Sequence, residues 1–223
     1  MQTTLEVRWF LKGIPPKAVQ YWFKSEYPEK LLTSEAQTRE DLYACGDLDE
    51  YLNKFQKFAP NLVGDWAQLM PYAKRYPLGR DRINLKLREG NLELKLRTEQ
   101  FGIQTFTAKN DCIWSGRVEQ WRKFNLQQLK DAAFDRDRLN LNWIRVRKER
   151  LQKNDRGVDS ELTWLEAKGS AWWSIAFEMT QENNAGVDLF CEVVEQAALT
   201  CSEPKLLARD SYSYADWLDK FIN

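Results

Sequence analysis

The sequence predicts an α+β fold: an eight-stranded antiparallel β-barrel, or tunnel, with a charged lumen and with helices covering its outside. Three observations lead to this prediction. About eight segments alternate polar and apolar residues with the period of two that is typical of a strand. Arginine and lysine, which are not favoured in strands, recur on the polar faces of these segments together with glutamate. Further segments have apolar residues at helical spacing and could cover the apolar faces of the strands.

Composition limits the function classes that this chain can belong to. The chain has 223 residues, with 33 basic and 33 acidic side chains, so its formal net charge is zero. A neutral chain has no global attraction for nucleic acid or for a membrane surface, and any anion site must come from local clustering. The absence of histidine excludes His-based triads and His metal ligands. We see no domain boundary and predict a single domain over residues 1–223.

The sequence has no apolar run of membrane length and no signal peptide. The pattern of its cysteines bears on the compartment and on the type of metal that it could bind. Cys45, Cys112, Cys191 and Cys201 are scattered, without metal-ligand or redox spacing. We therefore expect a reduced, cytoplasmic compartment and no His- or Cys-ligated metal. Any metal would be held by carboxylates, which favours hard ions such as Mg²⁺ or Mn²⁺.

Six strands are predicted besides one hairpin, and each has a polar face. They lie at TLEVRWFL (4–11), TREDLY (38–43), GRVEQWRKF (116–124), WIRVRKER (143–150), DSELTWLE (159–166) and AWWSIAFEMT (171–180). The faces that carry charge include Glu6 and Arg8; Arg39, Asp41 and Tyr43; Glu119, Trp121 and Lys123; Arg145, Arg147 and Glu149; Asp159, Glu161 and Thr163; and Ser174, Ala176, Glu178 and Thr180. One such strand needs no functional explanation, since an antiparallel sheet often has one face in water. A closed barrel would instead turn these faces inward and make its lumen a charged tunnel.

The hairpin RINLKLREGNLELKLR (82–97) has one leucine face and one charged face. Gly90 and Asn91 suit a two-residue turn, because both residues tolerate positive φ. This turn sets Lys86 opposite Lys95 on the charged face, and two facing lysines repel each other. A bound anion, or neighbouring carboxylates, would remove that cost.

Helical spacing predicts the elements that cover the barrel. The predicted helices are PKAVQYWFKSEY (16–27), a segment that starts at Asp47, LQQLKDAAF (126–134) after an Asn125 cap, GVDLFCEVVEQAALTC (186–201), and YADWLDKFIN (214–223) after a Ser213 cap. Their apolar stripes are expected to pack against the apolar faces of the strands. The stretch 59–81 is rich in proline and glycine and is predicted to be a long loop or flap.

The order of these motifs resembles that of the CYTH superfamily, also called the triphosphate tunnel metalloenzymes. The motifs that carry the resemblance are Thr4-Leu5-Glu6-Val7-Arg8, Asp41-Leu42-Tyr43, LKLREGNLELKLR (85–97), Arg117-Val118-Glu119, Arg145-Val146-Arg147, Glu161-Leu162-Thr163, Ala176-Phe177-Glu178 and SYADWL (213–218). The resemblance covers nearly the whole chain and keeps the family's order.

The resemblance implies an eight-stranded tunnel in which basic side chains hold a polyphosphate. Carried over by position, the phosphate-binding residues are Arg8, Lys86, Arg88, Lys95, Arg97, Arg145 and Arg147. The resemblance also implies a carboxylate-bound divalent metal, with Glu6, Glu119, Glu161 and Glu178 on the metal side and with Glu6 and Glu178 as catalytic residues. Phosphoryl transfer depends mainly on charge neutralisation and positioning, and guanidinium groups match phosphate oxygens.

Four positions depart from the family pattern: Arg8 stands where a lysine is expected, and Thr4, Thr163 and Ala176 stand where carboxylates are expected. Mg²⁺ needs several oxygen ligands, so these losses could abolish metal binding and leave the cationic wall intact. We therefore predict a tunnel protein that binds a polyphosphate or a phosphorylated small molecule with weak or no turnover. Two alternatives stay open. One is a metal-dependent triphosphatase in which Glu93 helps to rebuild the site, and the other is a non-catalytic structural or interaction protein whose tunnel charges neutralise each other.

Overall fold

The computed structural model describes residues 2–25, 35–44, 68–69, 71, 82–107, 113–128, 141–181, 186–201 and 203–222. The predicted helix that starts at Asp47 lies outside the described residues, as does nearly all of the stretch 59–81.

Within the described residues, eight strands form a closed barrel. The strands are β1 (Gln2–Lys12), β2 (Gln37–Ala44), β3 (Ile83–Arg88), β4 (Asn91–Thr107), β5 (Ile113–Gln128), β6 (Trp143–Asp155), β7 (Val158–Ala167) and β8 (Ser170–Thr180). Neighbouring strands are antiparallel, and the order β1-β5-β4-β3-β2-β6-β7-β8 closes on itself. This arrangement confirms the predicted α+β barrel and the tunnel fold that the resemblance to the CYTH superfamily implies.

The helices of the described residues lie at two places on the barrel. They include α1 (Lys17–Ser25), α2 (Val187–Thr200) and α3 (Tyr214–Trp217), which continues as a wider helical turn over Leu218–Ile222, and a short 3-10 turn covers Ala208–Asp210. The first two cover the outside of the barrel, as predicted, while α3 lies across one end of the lumen. No helix in the ranges given above is long and apolar enough to cross a membrane.

The outer core explains the alternating pattern of β1. Its residues Leu5, Val7 and Trp9 are buried with apolar side chains of α1 and α2, because their faces point away from the lumen. The ring of Trp9 also packs directly on Gly116 of β5. A Cβ atom added at Gly116 would lie 2.5 Å from that ring, so this position accepts only glycine without a shift of its neighbours.

The hairpin turn differs from the prediction by one residue. Glu89 and Gly90 form the turn, with φ angles of 48° and 77°. Lys86 consequently faces Glu93 and not Lys95, and its ammonium lies 2.9 Å from the Glu93 carboxylate. The predicted lysine repulsion is therefore wrong, because this turn sets opposite charges face to face. The leucine face is unchanged, since the pairing shifts by an even number of positions.

The predicted helix over 126–134 is wrong at its start. β5 continues through Asn125 and Leu126 to Gln128. Leu126 is buried in an outer apolar cluster with Phe124 and Leu94, which favours an extended backbone with alternate residues facing the core. The rest of that predicted helix lies outside the described residues.

The chain after α2 follows the seam between β1 and β5. These two strands pair with each other only over Gln2–Glu6 of β1. Farther along β1, Trp9 forms a β-bridge with Ser211. On the β5 side, the backbone N–H of Ser115 donates to the carbonyl of Leu206 at 2.8 Å. The returning chain therefore fills the gap in the seam and leads α3 to the end of the lumen.

The end of the lumen at α3 is filled with apolar side chains. We call this cluster the aromatic floor; its members are Phe10, Tyr43, Ile144, Val146, Leu165, Ala167, Trp172, Trp217, Leu218 and Ile222. The rings of Phe10 and Trp217 are stacked, with centroids 4.6 Å apart and an angle of 4° between the planes. Ser213 caps α3, as predicted, in a capping box with Asp216. The sequence prediction had placed this helix on the outside.

Candidate anion-binding tunnel

The lumen on the other side of Tyr43 and Tyr214 holds a cavity of about 250 Å³. Its basic lining residues are Arg8, Arg39, Lys86, Arg88, Lys95, Lys123, Lys148 and Arg150, and its acidic lining residues are Glu6, Asp159, Glu161 and Glu178. Two further carboxylates on the inner faces of the strands, Asp41 and Glu93, are buried and pair with these cations. The whole chain is neutral, so the excess of basic side chains is a local property of the tunnel and attracts anions.

Four of the predicted phosphate-binding residues, Arg8, Lys86, Arg88 and Lys95, line this cavity. Arg97 also lies inside the barrel, but it is buried at the cavity wall. Its guanidinium donates to Glu119 at 2.8 Å and lies 3.6 Å from Asp216 of α3. The hairpin and β1 therefore supply half of the basic side chains that line the cavity, and β2, β5 and β6 supply the other half.

The predicted position of Arg145 and Arg147 in the lumen is wrong. Both side chains are exposed on the outside of β6, where Arg145 lies 3.3 Å from Glu40. The inner face of β6 carries Val146 in the aromatic floor and then Lys148 at the cavity. Charged residues occupy both faces of β6, so alternation alone gave the wrong face.

Three arginines that we call the arginine rim, Arg39, Arg88 and Arg150, meet at the mouth of the cavity. The Nε atoms of Arg39 and Arg88 lie 3.6 and 3.4 Å from the oxygens of Asp41. All three Nε atoms are buried, and none has a hydrogen-bond acceptor within the described ranges. The guanidinium groups of the three arginines line the cavity and its mouth, and their combined positive charge favours an anion there.

Asp41 and Lys148 form a buried ion pair below the arginine rim. The Lys148 ammonium lies 3.0 Å from the Asp41 carboxylate, donates to the Tyr43 hydroxyl, and sits 3.9 Å from the centroid of the Tyr214 ring. Burial acts to raise the pKa of Asp41, but the surrounding cations, led by Lys148 and Arg39, outweigh it and hold that pKa well below its usual range. Burial raises the pKa of Tyr214 to about 12, so this ring remains a neutral phenol.

Sequence reasoning placed Arg39, Asp41 and Tyr43 on one face but did not include them in the predicted site. The Asp-x-Tyr motif was the available signal for this strand. The sequence does not identify Lys148 and Arg150 as site residues, because the Arg-x-Arg pair at Arg145 and Arg147 predicts the opposite face of β6 as the inner one.

Glu93 forms ion pairs with two lysines on its neighbouring strands. The ammonium groups of Lys86 and Lys123 lie 2.9 Å from its two carboxylate oxygens. Burial acts to raise the pKa of Glu93, but Lys86 and Lys123 lower it to about 2. Burial and nearby Arg88 lower the pKa of Lys86 to about 8, although Glu93 opposes this shift.

Glu6 and Glu178, the predicted catalytic pair, face each other on β1 and β8. Lys95 reaches both from β4, and its ammonium donates to Glu6 and, at 3.1 Å, to Glu178. Burial acts to lower the pKa of Lys95, but the two carboxylates outweigh it and raise that pKa above its usual range. Lys95 therefore remains an ammonium between two acidic side chains.

The other two predicted metal ligands are bound by arginines. Glu161 accepts from Arg8 and from Arg150, both at 2.9 Å. Glu119 accepts from Arg97 and from the Trp121 ring nitrogen. Burial acts to raise the pKa of Glu161, but Arg8 and Arg150 hold it well below its usual range.

The carboxylates therefore do not assemble the predicted metal centre. In the part of the chain that the structure describes, no group of three Asp, Glu, Cys or His side chains could hold one ion. Mg²⁺ requires near-octahedral oxygen ligation, whereas each of these glutamates already accepts from a cationic side chain. Glu93, the suggested replacement ligand, is bound by Lys86 and Lys123. The residues present do not fit a Mg²⁺ or Mn²⁺ site.

No family model and no curated protein matches this chain. Among solved structures, PH1012 from Pyrococcus horikoshii OT3 is similar over 100% of both chains, with 16% identity and a TM-score of 0.43. The mimivirus capping enzyme triphosphatase is similar over 92% of this chain and 90% of that chain, with 10% identity and a TM-score of 0.46. The S. pombe Pct1 RNA triphosphatase, solved with the Spt5 CTD, is similar over 90% and 86%, with 8% identity and a TM-score of 0.47. We draw no functional conclusion from similarities this weak, and the fold rests on the strand pairing described above.

Proposed function

We propose that the tunnel binds a phosphorylated or polyanionic small ligand, with inorganic triphosphate as the simplest probe, and that it turns the ligand over weakly or not at all. The observation that carries this proposal is the composition of the cavity wall, with eight basic and four acidic lining side chains in a chain of zero net charge. An enclosed cationic wall attracts a compact polyanion more strongly than an exposed basic patch does, because the low-dielectric walls focus the field.

The arginine rim is the part of the wall that is best prepared to bind. Arg39 and Arg88 lie 3.6 and 3.4 Å from the shared carboxylate of Asp41, whereas the ion pairs Arg8–Glu161 and Lys86–Glu93 are both 2.9 Å long, so a ligand competes with a carboxylate less for these two arginines. Arg150, the third member of the rim, shares Glu161 with Arg8. We therefore assign the first phosphate group to this rim and the remaining negative charge to Lys86 and Lys123 deeper in the cavity.

Weak or absent turnover follows from the state of the carboxylates. Hydrolysis of a triphosphate needs a group that positions and activates water, together with charge neutralisation. Glu6 and Glu178 both accept hydrogen bonds from Lys95, so neither is available to hold a metal ion or to accept a proton from water without first releasing the lysine. Binding is therefore favoured over the alternative of a metal-dependent triphosphatase. The cytoplasmic location stays a prediction.

One observation favours the second candidate, a structural or interaction protein with a self-neutralised tunnel. Close ion pairs join lumenal side chains of neighbouring or nearby strands, including Arg8–Glu161, Lys86–Glu93 and Lys148–Asp41, at 2.9, 2.9 and 3.0 Å. Such a network can hold a barrel together without any ligand, although replacing its charges by apolar residues is often neutral for stability.

Isothermal titration of inorganic triphosphate in EDTA tests the proposal directly. We expect saturable binding by the wild type and about tenfold or greater weakening in the Arg39→Ala, Arg88→Ala variant, because each charge-assisted hydrogen bond contributes on the order of 1.5–3 kcal/mol. The matched control is Arg145→Ala, Arg147→Ala, which removes the same charge from the outside of β6 and should bind like the wild type.

Phosphate release in the same samples separates the candidates. Release that requires Mg²⁺ or Mn²⁺ and is lost in the Arg39→Ala, Arg88→Ala variant would identify a triphosphatase. If triphosphate gives no heat of binding and no thermal stabilisation in any buffer, the structural candidate is the one that remains.

A further inference from the structure

Lys95 occupies a position that the surrounding charges would otherwise give to a small cation. Glu6 and Glu178 are directly opposed on β1 and β8, and both side chains face the lumen. The ammonium of Lys95 bridges one oxygen of each carboxylate. The three side chains are mostly buried, with 15, 17 and 34% of the Lys95, Glu6 and Glu178 side chains exposed.

Electrostatics favours a positive charge at this position. Two facing carboxylates in a partly buried site repel each other unless a cation lies between them or one of them takes up a proton, and burial and Glu6 raise the pKa of Glu178 although Lys95 opposes this shift. A tethered ammonium supplies one positive charge and needs no free ion from solution. Glu6 is also fixed from its own strand, since the Thr4 hydroxyl donates to it at 2.8 Å. The position is thus held ready for a cation by groups other than Lys95.

We infer that Lys95 takes the place of a divalent cation between Glu6 and Glu178, so that the wild-type tunnel binds its anionic ligand without a divalent ion, and that removing Lys95 creates a divalent-cation site. The first part rests on the proposed function. The second part depends only on the geometry of the two glutamates and can be tested with a metal ion alone.

A second lysine needs to be considered, because it lies on the neighbouring strand. Lys123 is opposite Lys95 in the β4–β5 pairing. Its ammonium is held by Glu93 at 2.9 Å. In a Lys95→Ala variant Lys123 could move toward the vacated position, and a Lys95→Ala, Lys123→Ala variant removes that possibility.

The chain offers a matched control for Lys95. Lys86 is also a buried lysine on the same hairpin, and it also pairs with a lumenal carboxylate. Its removal leaves only one carboxylate, Glu93, and that carboxylate keeps Lys123 as a partner. A Lys86→Ala variant therefore loses the same charge from the tunnel without leaving two facing glutamates.

The test is calorimetric titration of MnCl₂ into purified wild type, Lys95→Ala, Lys95→Ala with Lys123→Ala, and Lys86→Ala. We expect one Mn²⁺ per chain in at least one of the two Lys95 variants, at an affinity at least about tenfold above that of the wild type and of Lys86→Ala. Adding Glu178→Gln should abolish this site, because it leaves Glu6 as a single carboxylate. The Lys86→Ala control likewise offers only one carboxylate, Glu93. Thermal unfolding of the same samples should show Mn²⁺ stabilising only the variants that bind it.

Several results would overturn the inference. Absence of Mn²⁺ binding in both folded Lys95 variants would mean that the glutamates share a proton instead, and equal Mn²⁺ binding by the wild type would mean that Lys95 does not occupy the site. If Lys95→Ala does not fold, Lys95→Gln keeps most of the side-chain volume without the charge and is titrated in its place.

Titration of triphosphate into the wild type with and without Mg²⁺ separates this inference from the proposed function. Triphosphate binding of equal strength in EDTA and in Mg²⁺ supports both. Binding that requires Mg²⁺ contradicts the first part of the inference and leaves the proposed function in place. No triphosphate binding in either buffer contradicts the proposed function, while the Mn²⁺ result for the Lys95 variants still decides the second part.

Discussion

The two ends of the lumen are built by the same strands but have opposite chemistry. β2 contributes Arg39 to the cavity mouth and Tyr43 to the aromatic floor. β6 likewise contributes Arg150 to the mouth and Val146 to the floor. The mouth is lined by guanidinium groups, whereas the floor is packed ring against ring. The change occurs within a few residues of each strand, at the level of the Asp41–Lys148 pair.

This difference separates stability from binding. Packed apolar side chains stabilise a fold through burial and dispersion, whereas exposed or partly solvated charges contribute little to stability and more to recognition. Changes in the floor should therefore alter the free energy of unfolding, and changes at the mouth should alter anion affinity. Four predictions test this division, from the largest expected effect to the smallest.

Removing the central ring of the floor should have the largest effect. Trp217 is fully buried and contacts Phe10, Trp172 and Tyr214. Trp217→Ala should lower the free energy of unfolding by about 3–5 kcal/mol, measured by urea denaturation, because it leaves a cavity among packed rings. The control is Phe221→Ala, whose ring is 42% exposed. An equal or larger loss in the Phe221 variant would mean that the floor does not stabilise the barrel end.

Neutralising the acid at the boundary between mouth and floor should have the next largest effect. Asp41→Asn leaves the buried Lys148 without its carboxylate and should lower the free energy of unfolding by about 3 kcal/mol. Glu40→Gln, one residue away on the outer face of β2, should change it by less than about 0.5 kcal/mol. Urea denaturation of both variants at pH 7 measures the difference, and similar values for the two would contradict the inward position of Asp41.

The carboxylates with lowered pKa predict an acid-sensitive tunnel. Glu93 has a pKa of about 2 in the folded chain and an ordinary value of 4.5, so it binds fewer protons when folded. Its contribution to stability is fully present above pH 4.5, and it is lost as the pH falls through the folded pKa near 2. Unfolding free energies at pH 7, 4 and 3 should fall less steeply in Glu93→Gln than in the wild type. Parallel curves for the two proteins would show that the lysine contacts of Glu93 do not shift its titration.

The smallest effect is expected on the outside of the barrel. Arg145 has a side chain that is 69% exposed, and its only described ion pair is with exposed Glu40. Arg145→Ala should change the free energy of unfolding by less than about 0.5 kcal/mol and leave triphosphate affinity unchanged. Triphosphate affinity is measured for Arg145→Ala and Arg39→Ala side by side. A clear loss of affinity in Arg145→Ala would show that Arg145 belongs to the binding surface, as the sequence predicts.

The strand segments were predictable because period-two alternation is a local property of the sequence, but their order in the barrel is not contained in that pattern. The hairpin register was not predictable, because Glu89-Gly90 and Gly90-Asn91 are both acceptable turns and only the resulting charge pairing distinguishes them. The inner face of β6 was not predictable, because charged residues occupy both of its faces.

The partners of the lumenal charges depend on distances across the barrel. Lys95 on β4 meets Glu6 on β1 and Glu178 on β8, and β4 pairs with neither of these strands. No local pattern specifies such a contact. The position of α3 across the lumen was missed for a related reason, because Tyr214 and Trp217 form an apolar stripe that suits an outer helix equally well.

The bridge between Trp9 and Ser211 has a consequence for how this chain folds. β1 pairs with β8 on one side, and on the other side it is completed by the chain that follows α2. Contacts between segments so distant in sequence slow folding, because a long loop must close before they form. During synthesis on the ribosome, part of one edge of β1 therefore stays unpaired until residues near Ser211 have been made. An unpaired strand edge can form hydrogen bonds with other nascent chains. Chains that stop before Ser211 would contain every strand of the barrel and still expose this edge, which makes aggregation, more than loss of ligand binding, the expected fate of truncated products.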